Sequence, residues 1–260
     1  KNMPARFLLP LIDQKAASGF VNASLALDQA RAVKDIQEQE LMRKASHLND
    51  MAMAEITHFF KEGVTETDLA EQLKKIYRDL GADGLSFEPL FAFGSNAASG
   101  HHWPDDTRLK PGDCILVDIG CTWEGYCSDM TRTFFYKNVT QHQQEVYHTV
   151  LKANEEAEKA VTPGIPLSSL DQIARGIITD KGYGSAFTHR LGHFIGLEDH
   201  EFGDVSSASA DRAVPGNIFS IEPGVYLEND MGVRVEDLVL VTDHGHEILN
   251  HFSKELTVID

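Results

Sequence analysis

Positive charge is scarce in this sequence of 260 residues. Lysine and arginine total 23 against 40 aspartates and glutamates, so the formal net charge is −17, and the basic residues are scattered without forming a block. Nucleic acids and anionic membrane surfaces attract basic patches, so neither is expected as a partner. No apolar run in the sequence approaches the roughly 20 residues that a membrane span needs.

Cysteine is also scarce. The three cysteines, Cys114, Cys121 and Cys127, are odd in number and form no CxxC pair. This argues against a disulfide framework and favours a reducing cytoplasm as the location of the protein. With 42% hydrophobic residues, the chain can bury one large core.

An internal repeat organises the chain. The segment EGVTETDLAEQLKKIYRDLG (62–81) matches PGIPLSSLDQIARGIITDKG (163–182), with a glycine near the start and another at the end of each. Polar residues such as Thr65 and Ser168 stand ahead of an apolar pattern at helical period, which predicts a capped helix in each segment. A longer helical stretch precedes each one, over about 30–60 and about 140–160.

The repeat also places carboxylates at matching positions. KPGDCILVDIG (110–120) carries Asp118 six residues after a glycine, and VPGNIFSIEPG (214–224) carries Glu222 at the same spacing. Each half continues into a second strand with a second acid, Asp129 in one and Glu236 in the other. Four acids therefore occupy equivalent positions in strands that otherwise read as buried.

Hairpin geometry predicts that these acids face one another in pairs. A two-residue turn at Trp123 and Glu124 places Asp118 opposite Asp129. A three-residue loop over 228–230 places Glu222 opposite Glu236 in the same way.

Opposed carboxylates about 5 Å apart repel by roughly 3 kcal/mol at an effective dielectric near 20. A single strand aspartate is most often a solvated edge residue, but four acids at repeat positions indicate a metal-binding cluster.

The histidines indicate which metal the cluster prefers. His189 and His193 are four residues apart, a spacing that fits two ligands on one helix face. Gly192 and Gly196, however, favour a strand or loop around His193, so this stretch is expected to supply a single ligand. An all-oxygen site suits Mg²⁺, Ca²⁺ or Mn²⁺, whereas one imidazole shifts the preference toward Mn²⁺, Fe²⁺, Co²⁺ or Zn²⁺.

Together these motifs resemble a known family. Five short motifs occur along the chain in the order VDIG, SDMTRTF, GHFIGLEDHE, IEPGVY and VRVED. They are similar to the motifs of the pita-bread metallopeptidases, which include methionine aminopeptidase, aminopeptidase P and prolidase. The resemblance covers about residues 30–250 and is closest to the proline-specific branch.

The resemblance implies an α+β fold of the pita-bread (creatinase/aminopeptidase) type. Its two pseudo-symmetric halves, each a helix pair followed by a β-hairpin, surround a curved antiparallel sheet. Residues 30–260 would form the catalytic domain. The chain starts at Lys1 rather than methionine, and relatives usually carry a smaller domain ahead of the catalytic one, so residues 1–29 are expected to be a remnant of, or linker from, an absent N-terminal domain.

The resemblance also implies a dinuclear metal site. Asp129 and Glu236 would bridge the two ions, His193 and Glu222 would complete one site, and Asp118 would complete the other. The expected ions are Mn²⁺, with Co²⁺, Zn²⁺ or Fe²⁺ as alternatives, and they would generate the attacking hydroxide.

Catalytic and substrate-binding roles follow from the same resemblance. Glu222 would exchange the proton, and His101 or His200 would stabilise the oxyanion. His189 and Arg234 would contact the substrate. Phe194, which stands where many relatives have a glycine, would narrow the substrate pocket.

The implied function is hydrolysis of the Xaa-Pro bond at the N-terminus of small peptides or dipeptides. Many prolidases place an arginine shortly after the HE pair to hold the dipeptide carboxylate, but this chain has Asp204 there, which weakens a strict dipeptidase assignment. Arg234 is the residue that could compensate. The alternatives are a non-peptidase enzyme on the same fold, either a creatinase-like hydrolase or a lyase, and a metal-free binding module. Relatives suggest a homodimer.

Overall fold

The computed structural model describes residues 4–260 and shows an α+β architecture in which helix pairs precede strand pairs twice along the chain. The α-helices in this range are α1 (Ala5–Asp13), α2 (Ser24–Ala32), α3 (Ile36–Thr57), α4 (Glu66–Leu80), α5 (Gln141–Lys159) and α6 (Leu167–Asp180). Short 3₁₀ turns occupy Gly94–Ala98 and Gly184–Ala186.

The strands of the first half are β1 (Gly84–Leu85), β2 (Leu90–Phe93), β3 (Cys114–Ile119), β4 (Cys121–Trp123), β5 (Tyr126–Cys127) and β6 (Met130–Tyr136). Those that follow α6 are β7 (Gly192–His193), β8 (Asp204–Val205), β9 (Ile218–Ile221), β10 (Gly224–Leu227), β11 (Met231–Arg234), β12 (Asp237–Val241), β13 (His246–Ile248) and β14 (Val258–Ile259).

The helix boundaries follow local capping chemistry. Thr65 caps α4 through a reciprocal capping box with Asp68, and Gly81 ends this helix in the left-handed conformation at φ 83°, as the sequence predicts. The longer helix predicted over about 30–60 is divided, however. Asp35 starts α3 with its own capping box, because the residues just before it leave the helix.

The second half repeats this helix pair with a different start. Thr140 caps α5, but α6 begins after Pro166, and Ser168 lies inside the helix rather than ahead of it. Proline suits a helix start because its missing N–H would be unpaired there in any case. The prediction of Ser168 as a residue ahead of the helix was therefore wrong.

The strands form two main sheets that pair almost entirely antiparallel. One has the order β14-β6-β3-β2 and the other β13-β12-β9. The pairing of the two-residue edge strand β14 with β6 is parallel, and the other pairings in these two sheets are antiparallel, as predicted.

The strand register of the second hairpin is the predicted one, whereas the register of the first hairpin differs from the prediction. Leu227 pairs with Met231 around the loop at 228–230, as predicted. In the first hairpin, Trp123 pairs with Tyr126, so the turn is Glu124–Gly125, both at positive φ, as a type I′ turn requires. The turn thus moves by one position, and the cross-strand partner of each residue moves by two: Asp118 pairs with Thr131 instead of Asp129. Because the partner shift is an even number, each side chain keeps its predicted face.

The helices and strands pack together in two main apolar clusters. In the first half, α3 and α4 form one apolar cluster with β3 and β6, which includes Leu73, Ile115 and Phe134. In the second half, α5 and α6 pack against β9 and β12 in a second cluster that includes Val150 and Phe219, and Leu116 and Phe135 of the first half also belong to it.

Helix α1 stands apart from these cores, since none of its residues is buried. Within residues 4–260, no helix is both long enough and apolar enough to cross a membrane.

Candidate metal centre

A cavity of about 420 Å³ lies where the two halves meet. Its lining contains all five predicted metal ligands together with three predicted histidines and one predicted arginine. The lining residues are Phe87, Gly100, His101, Asp118, Asp129, His189, Arg190, His193, Asp199, His200, Glu222, Arg234 and Glu236.

The first hairpin contributes two carboxylates from neighbouring positions. Asp118 lies near the end of β3 and pairs with Thr131 of β6. Asp129 precedes β6 and is buried. The two aspartates are therefore diagonal neighbours on one face rather than directly opposed.

The second hairpin contributes its carboxylates from positions just outside the strands. Glu222 follows β9 and Glu236 precedes β12, where the pairing of Ile221 with Asp237 brings them opposite each other. The Thr131 hydroxyl donates to Glu236 Oε2 at 2.6 Å. This hydrogen bond links the first half of the chain directly to a predicted ligand in the second half.

His193 lies on β7 and presents a lone pair to the acids. Its Nδ1 donates to the carbonyl oxygen of Phe194 at 3.2 Å, so its Nε2 carries no proton in the neutral ring. Nε2 lies 3.4 Å from Asp129 Oδ2 and 3.5 Å from Glu222 Oε1. The imidazole supplies no hydrogen to these contacts, so they need either a carboxyl proton or a cation among the three atoms.

Burial gives this group unusual proton affinities. Desolvation, followed by the charge of Glu236, raises the pKa of Asp129 well above its usual range. Desolvation also raises the pKa of Glu222 to about 7, with a further contribution from Asp118. Desolvation lowers the pKa of His193 to about 3, which keeps the imidazole neutral and able to act as a ligand.

Three oxygen atoms of cavity-lining residues are buried without a hydrogen-bond partner. These are Asp118 Oδ1, Asp129 Oδ1 and Asp199 Oδ1, and leaving such atoms unpaired is costly. One ligand atom each from Asp129, His193 and Glu236 lies within 4.8 Å of the others. Carboxylate oxygens around one neutral imidazole nitrogen are a donor set for Mn²⁺, Fe²⁺, Co²⁺ or Zn²⁺, so the residues present fit divalent cations.

Arg234, His189 and Tyr226 form a hydrogen-bonded chain along one wall. Arg234 Nη2 contacts Asp118 Oδ2 at 2.5 Å, and its Nη1 donates to the Tyr226 hydroxyl at 2.8 Å. His189 Nδ1 donates to the carbonyl oxygen of Arg190, so Tyr226 donates to His189 Nε2 at 2.9 Å. Tyr226 was missed at the sequence level, although it stands in the quoted IEPGVY text.

His200 and Asp199 line the cavity from the loop after β7. The His200 ring lies 3.9 Å, centroid to centroid, from that of His193. Desolvation, followed by the charge of Asp118, raises the pKa of Asp199 to about 7. Asp199 was also missed, because a lone acid in a polar loop reads as solvated.

A buried ion pair fixes this loop from the N-terminal side of the chain. Glu201 accepts a hydrogen bond from Lys34 Nζ at 2.9 Å and from Arg31 Nη2 at 2.6 Å, and the side chains of Lys34 and Glu201 are 1% and 3% exposed. The backbone N–H of Leu197 also donates to Glu201. The segment around α2 therefore anchors the loop that carries His200.

A similar anchor holds the loop that carries His101. His102 Nε2 lies 2.7 Å from Glu66 Oε2, and Glu66 also accepts from the backbone of Phe93 and Asp105. Glu66, His102 and Asp105 are close enough to hold an ion. The oxygens of buried Glu66 are already hydrogen-bonded, so this cluster is explained by its role in fixing the loop.

Phe194 is the one predicted site residue that lies outside the cavity. Its buried ring packs 5.6 Å, centroid to centroid, from Phe219. A side chain at Gly203 would collide with this ring. We therefore leave Phe194 out of the proposed substrate site.

Comparison with known proteins gives matches over most of the chain. The model of metallopeptidase family M24 matches residues 40–243. Among curated proteins, an uncharacterized peptidase of Staphylococcus aureus (strain MW2) is 41% identical over 244 residues, which cover 94% of this chain and 70% of that relative.

Two solved structures are similar over most of the chain. The X-Pro aminopeptidase from Thermotoga maritima MSB8 has a TM-score of 0.90 at 35% identity and covers 93% of this chain and 68% of its own. The prolidase from Pyrococcus horikoshii OT3 has a TM-score of 0.95 at 32% identity, and the match covers 98% of this chain and 74% of the prolidase. The predicted pita-bread fold is thereby confirmed.

Proposed function

Since this chain belongs to metallopeptidase family M24, we propose that it uses two divalent metal ions to hydrolyse the Xaa-Pro bond at the N-terminus of small peptides. The binding of metal is supported by one observation above all: the Nε2 lone pair of neutral His193 faces carboxylate oxygens of Asp129 and Glu222 at 3.4 and 3.5 Å. Acceptor atoms in this arrangement repel one another unless a proton or a cation lies among them, and a proton bridges only two atoms whereas a cation contacts all three.

Five side chains would hold the ions: Asp118, Asp129, His193, Glu222 and Glu236. Mn²⁺ is our first choice, because this donor set combines one imidazole with hard carboxylate oxygens. When bound, such ions supply Lewis acidity and activate water for attack on the peptide carbonyl.

Glu222 is suited to accept and return the proton in this reaction. It lines the cavity beside the other proposed ligands, where its carboxylate can exchange a proton with the attacking water. The Ser220 hydroxyl donates to Glu222 Oε1 at 3.2 Å. That bond fixes the carboxylate and leaves its other oxygen for the proton.

His200 and His101 would bind the carbonyl oxygen of the scissile bond. Desolvation lowers the pKa of His200, so at neutral pH this ring is uncharged and offers one N–H donor. His101 lines the same cavity on a loop held by the neighbouring His102. Donors fixed in advance toward a developing negative charge lower the barrier of acyl transfer.

His189 and Arg234 would shape the substrate side of the cavity through Tyr226. The cavity volume of about 420 Å³ falls in the range of small-molecule sites and suits a short peptide. The preference for proline at the second position is supported by the similar X-Pro aminopeptidase and prolidase.

The test combines metal analysis with a peptide assay. The purified protein, dialysed against Mn²⁺, should contain two ions per chain by mass spectrometry of its metals, and Asp129→Asn should lose at least one. The loaded protein should hydrolyse Ala-Pro substrates and leave the matched Ala-Ala peptides intact.

Absence of bound metal would contradict the site, and absence of Xaa-Pro cleavage by the loaded protein would contradict the substrate. Hydrolysis of creatine instead would favour a creatinase-like activity on the same fold.

A further inference from the structure

The cavity lining contains two arginines, and they differ in how their guanidinium groups are used. Arg234 is 4% exposed and donates to Asp118, Tyr226 and Thr131 within the protein. Arg190 is partly exposed at the rim, and its side chain contacts Asp204. Arg190 is therefore the cavity-lining arginine with donors available to a ligand.

The contact with Asp204 is built into the fold. Arg190 lies two residues before β7, and Asp204 begins β8, where it pairs with His193. Arg190 Nη1 donates to Asp204 Oδ1 at 3.1 Å, with side chains 37% and 42% exposed. The pair thus closes the base of the loop that carries His200, and both side chains are partly exposed, with Arg190 lining the cavity.

We propose that Arg190 contacts the C-terminal side of the peptide and that Asp204 neutralises its charge, so that the preferred substrates are peptides that continue beyond proline. This inference rests on the proposed Xaa-Pro hydrolysis and names its substrate class. A guanidinium has five N–H donors, and the Asp204 contact uses Nη1. Further donors can therefore reach the carbonyl oxygen that follows proline.

Charge explains why a free dipeptide is not favoured. The carboxylate of an Xaa-Pro dipeptide bound to Arg190 would also be repelled by Asp204, which contacts the same guanidinium, so the two effects largely cancel. A neutral carbonyl oxygen accepts the same hydrogen bond without that repulsion. A pair that served only to close the loop would affect charged and neutral substrates equally.

The experiment uses two substrates that differ in charge alone, Ala-Pro and its amide, Ala-Pro-NH2, with Ala-Pro-Ala as the extended peptide. For the metal-loaded wild type we expect kcat/KM to be at least as high for the amide and the tripeptide as for the free acid. Asp204→Asn should raise the ratio of kcat/KM for the free acid to kcat/KM for the amide about tenfold, which is the contribution expected of one hydrogen bond to a charged group. The double variant with Arg190→Met should return that ratio to the wild-type value.

A matched pair far from the cavity serves as the control. Arg43 and Glu247 form an ion pair of similar exposure between α3 and β13. The variant Glu247→Gln should leave the ratio of acid to amide unchanged.

A second readout does not depend on turnover. Calorimetric titration should show that Asp204→Asn gains affinity for L-proline relative to L-prolinamide, again about tenfold. A wild type that prefers the free acid tenfold, or an Asp204→Asn variant that changes both substrates equally, would overturn the inference. If no substrate is cleaved by any variant, the proposed function fails, and the titration alone decides whether Asp204 masks Arg190.

Discussion

Replacing Glu222 by glutamine should stabilise the metal-free protein at pH 8 and have little effect at pH 5. Desolvation, followed by the charge of Asp118, raises the pKa of Glu222 from its ordinary 4.5 to about 7. A carboxyl with a raised pKa in the folded state destabilises the fold as pH rises through that interval, because the folded chain holds a proton that the unfolded chain has released.

The magnitude follows from the shift. One pKa unit corresponds to about 1.36 kcal/mol, so the cost of ionising Glu222 reaches about 3 kcal/mol above pH 7 and is about 1 kcal/mol or less at pH 5. The uncharged amide of the Glu222→Gln variant would avoid this cost and keep an oxygen for the Ser220 hydroxyl. The difference in free energy of unfolding between variant and wild type should therefore grow by about 2 to 3 kcal/mol from pH 5 to pH 8.

Urea unfolding in excess chelator, at several pH values, measures this difference. Glu155→Gln, at an exposed position of α5, should change the free energy of unfolding by less than about 0.5 kcal/mol at every pH. With saturating Mn²⁺ the order should reverse, because an ion that binds only the folded state stabilises the wild type. A constant difference between pH 5 and pH 8 without metal would refute the reasoning.

Three further predictions concern single contacts. Thr131→Val removes the hydrogen bond to Glu236 Oε2 and should weaken metal affinity about 10- to 100-fold in a chelator competition. Lys34→Met breaks the buried pair with Glu201 and should lower the free energy of unfolding by about 3 kcal/mol. It should also reduce kcat without changing the metal content. Equal activity of variant and wild type would contradict the anchoring role of this pair. Gly192→Ala places a methyl carbon 1.8 Å from a carbonyl oxygen of β9, so we expect loss of bound metal or of soluble protein, and a fully metallated variant would argue against the tight fit.

Periodicity and repeat spacing predicted the second hairpin well. The polar loop at 228–230 fixed the register that brings Glu222 and Glu236 together. In the first hairpin the cross-strand partners differ from the predicted ones by two residues, because Gly125 and the left-handed Glu124 form the turn. Strand side chains alternate with a period of two, so this error left Asp118 and Asp129 on the correct face.

Contacts between distant segments could not be predicted from the sequence. Thr131, Tyr226 and Asp199 gain their roles from groups more than 30 residues away or from burial in the cavity, and no local pattern encodes either. The pair of Lys34 with Glu201 joins positions 167 residues apart. Phe194 was expected to narrow the pocket because many relatives have a glycine at its position, whereas its ring packs against Phe219.

The hydrogen bond from Thr131 to Glu236 and the contact of Arg234 with Asp118 cross from one half of the chain to the other. Each half by itself carries two carboxylates, and neither can assemble the full set of ligands. If the proposed ligands hold the ions, ion binding depends on the docking of the two halves, and metal occupancy would report on how tightly they stay together.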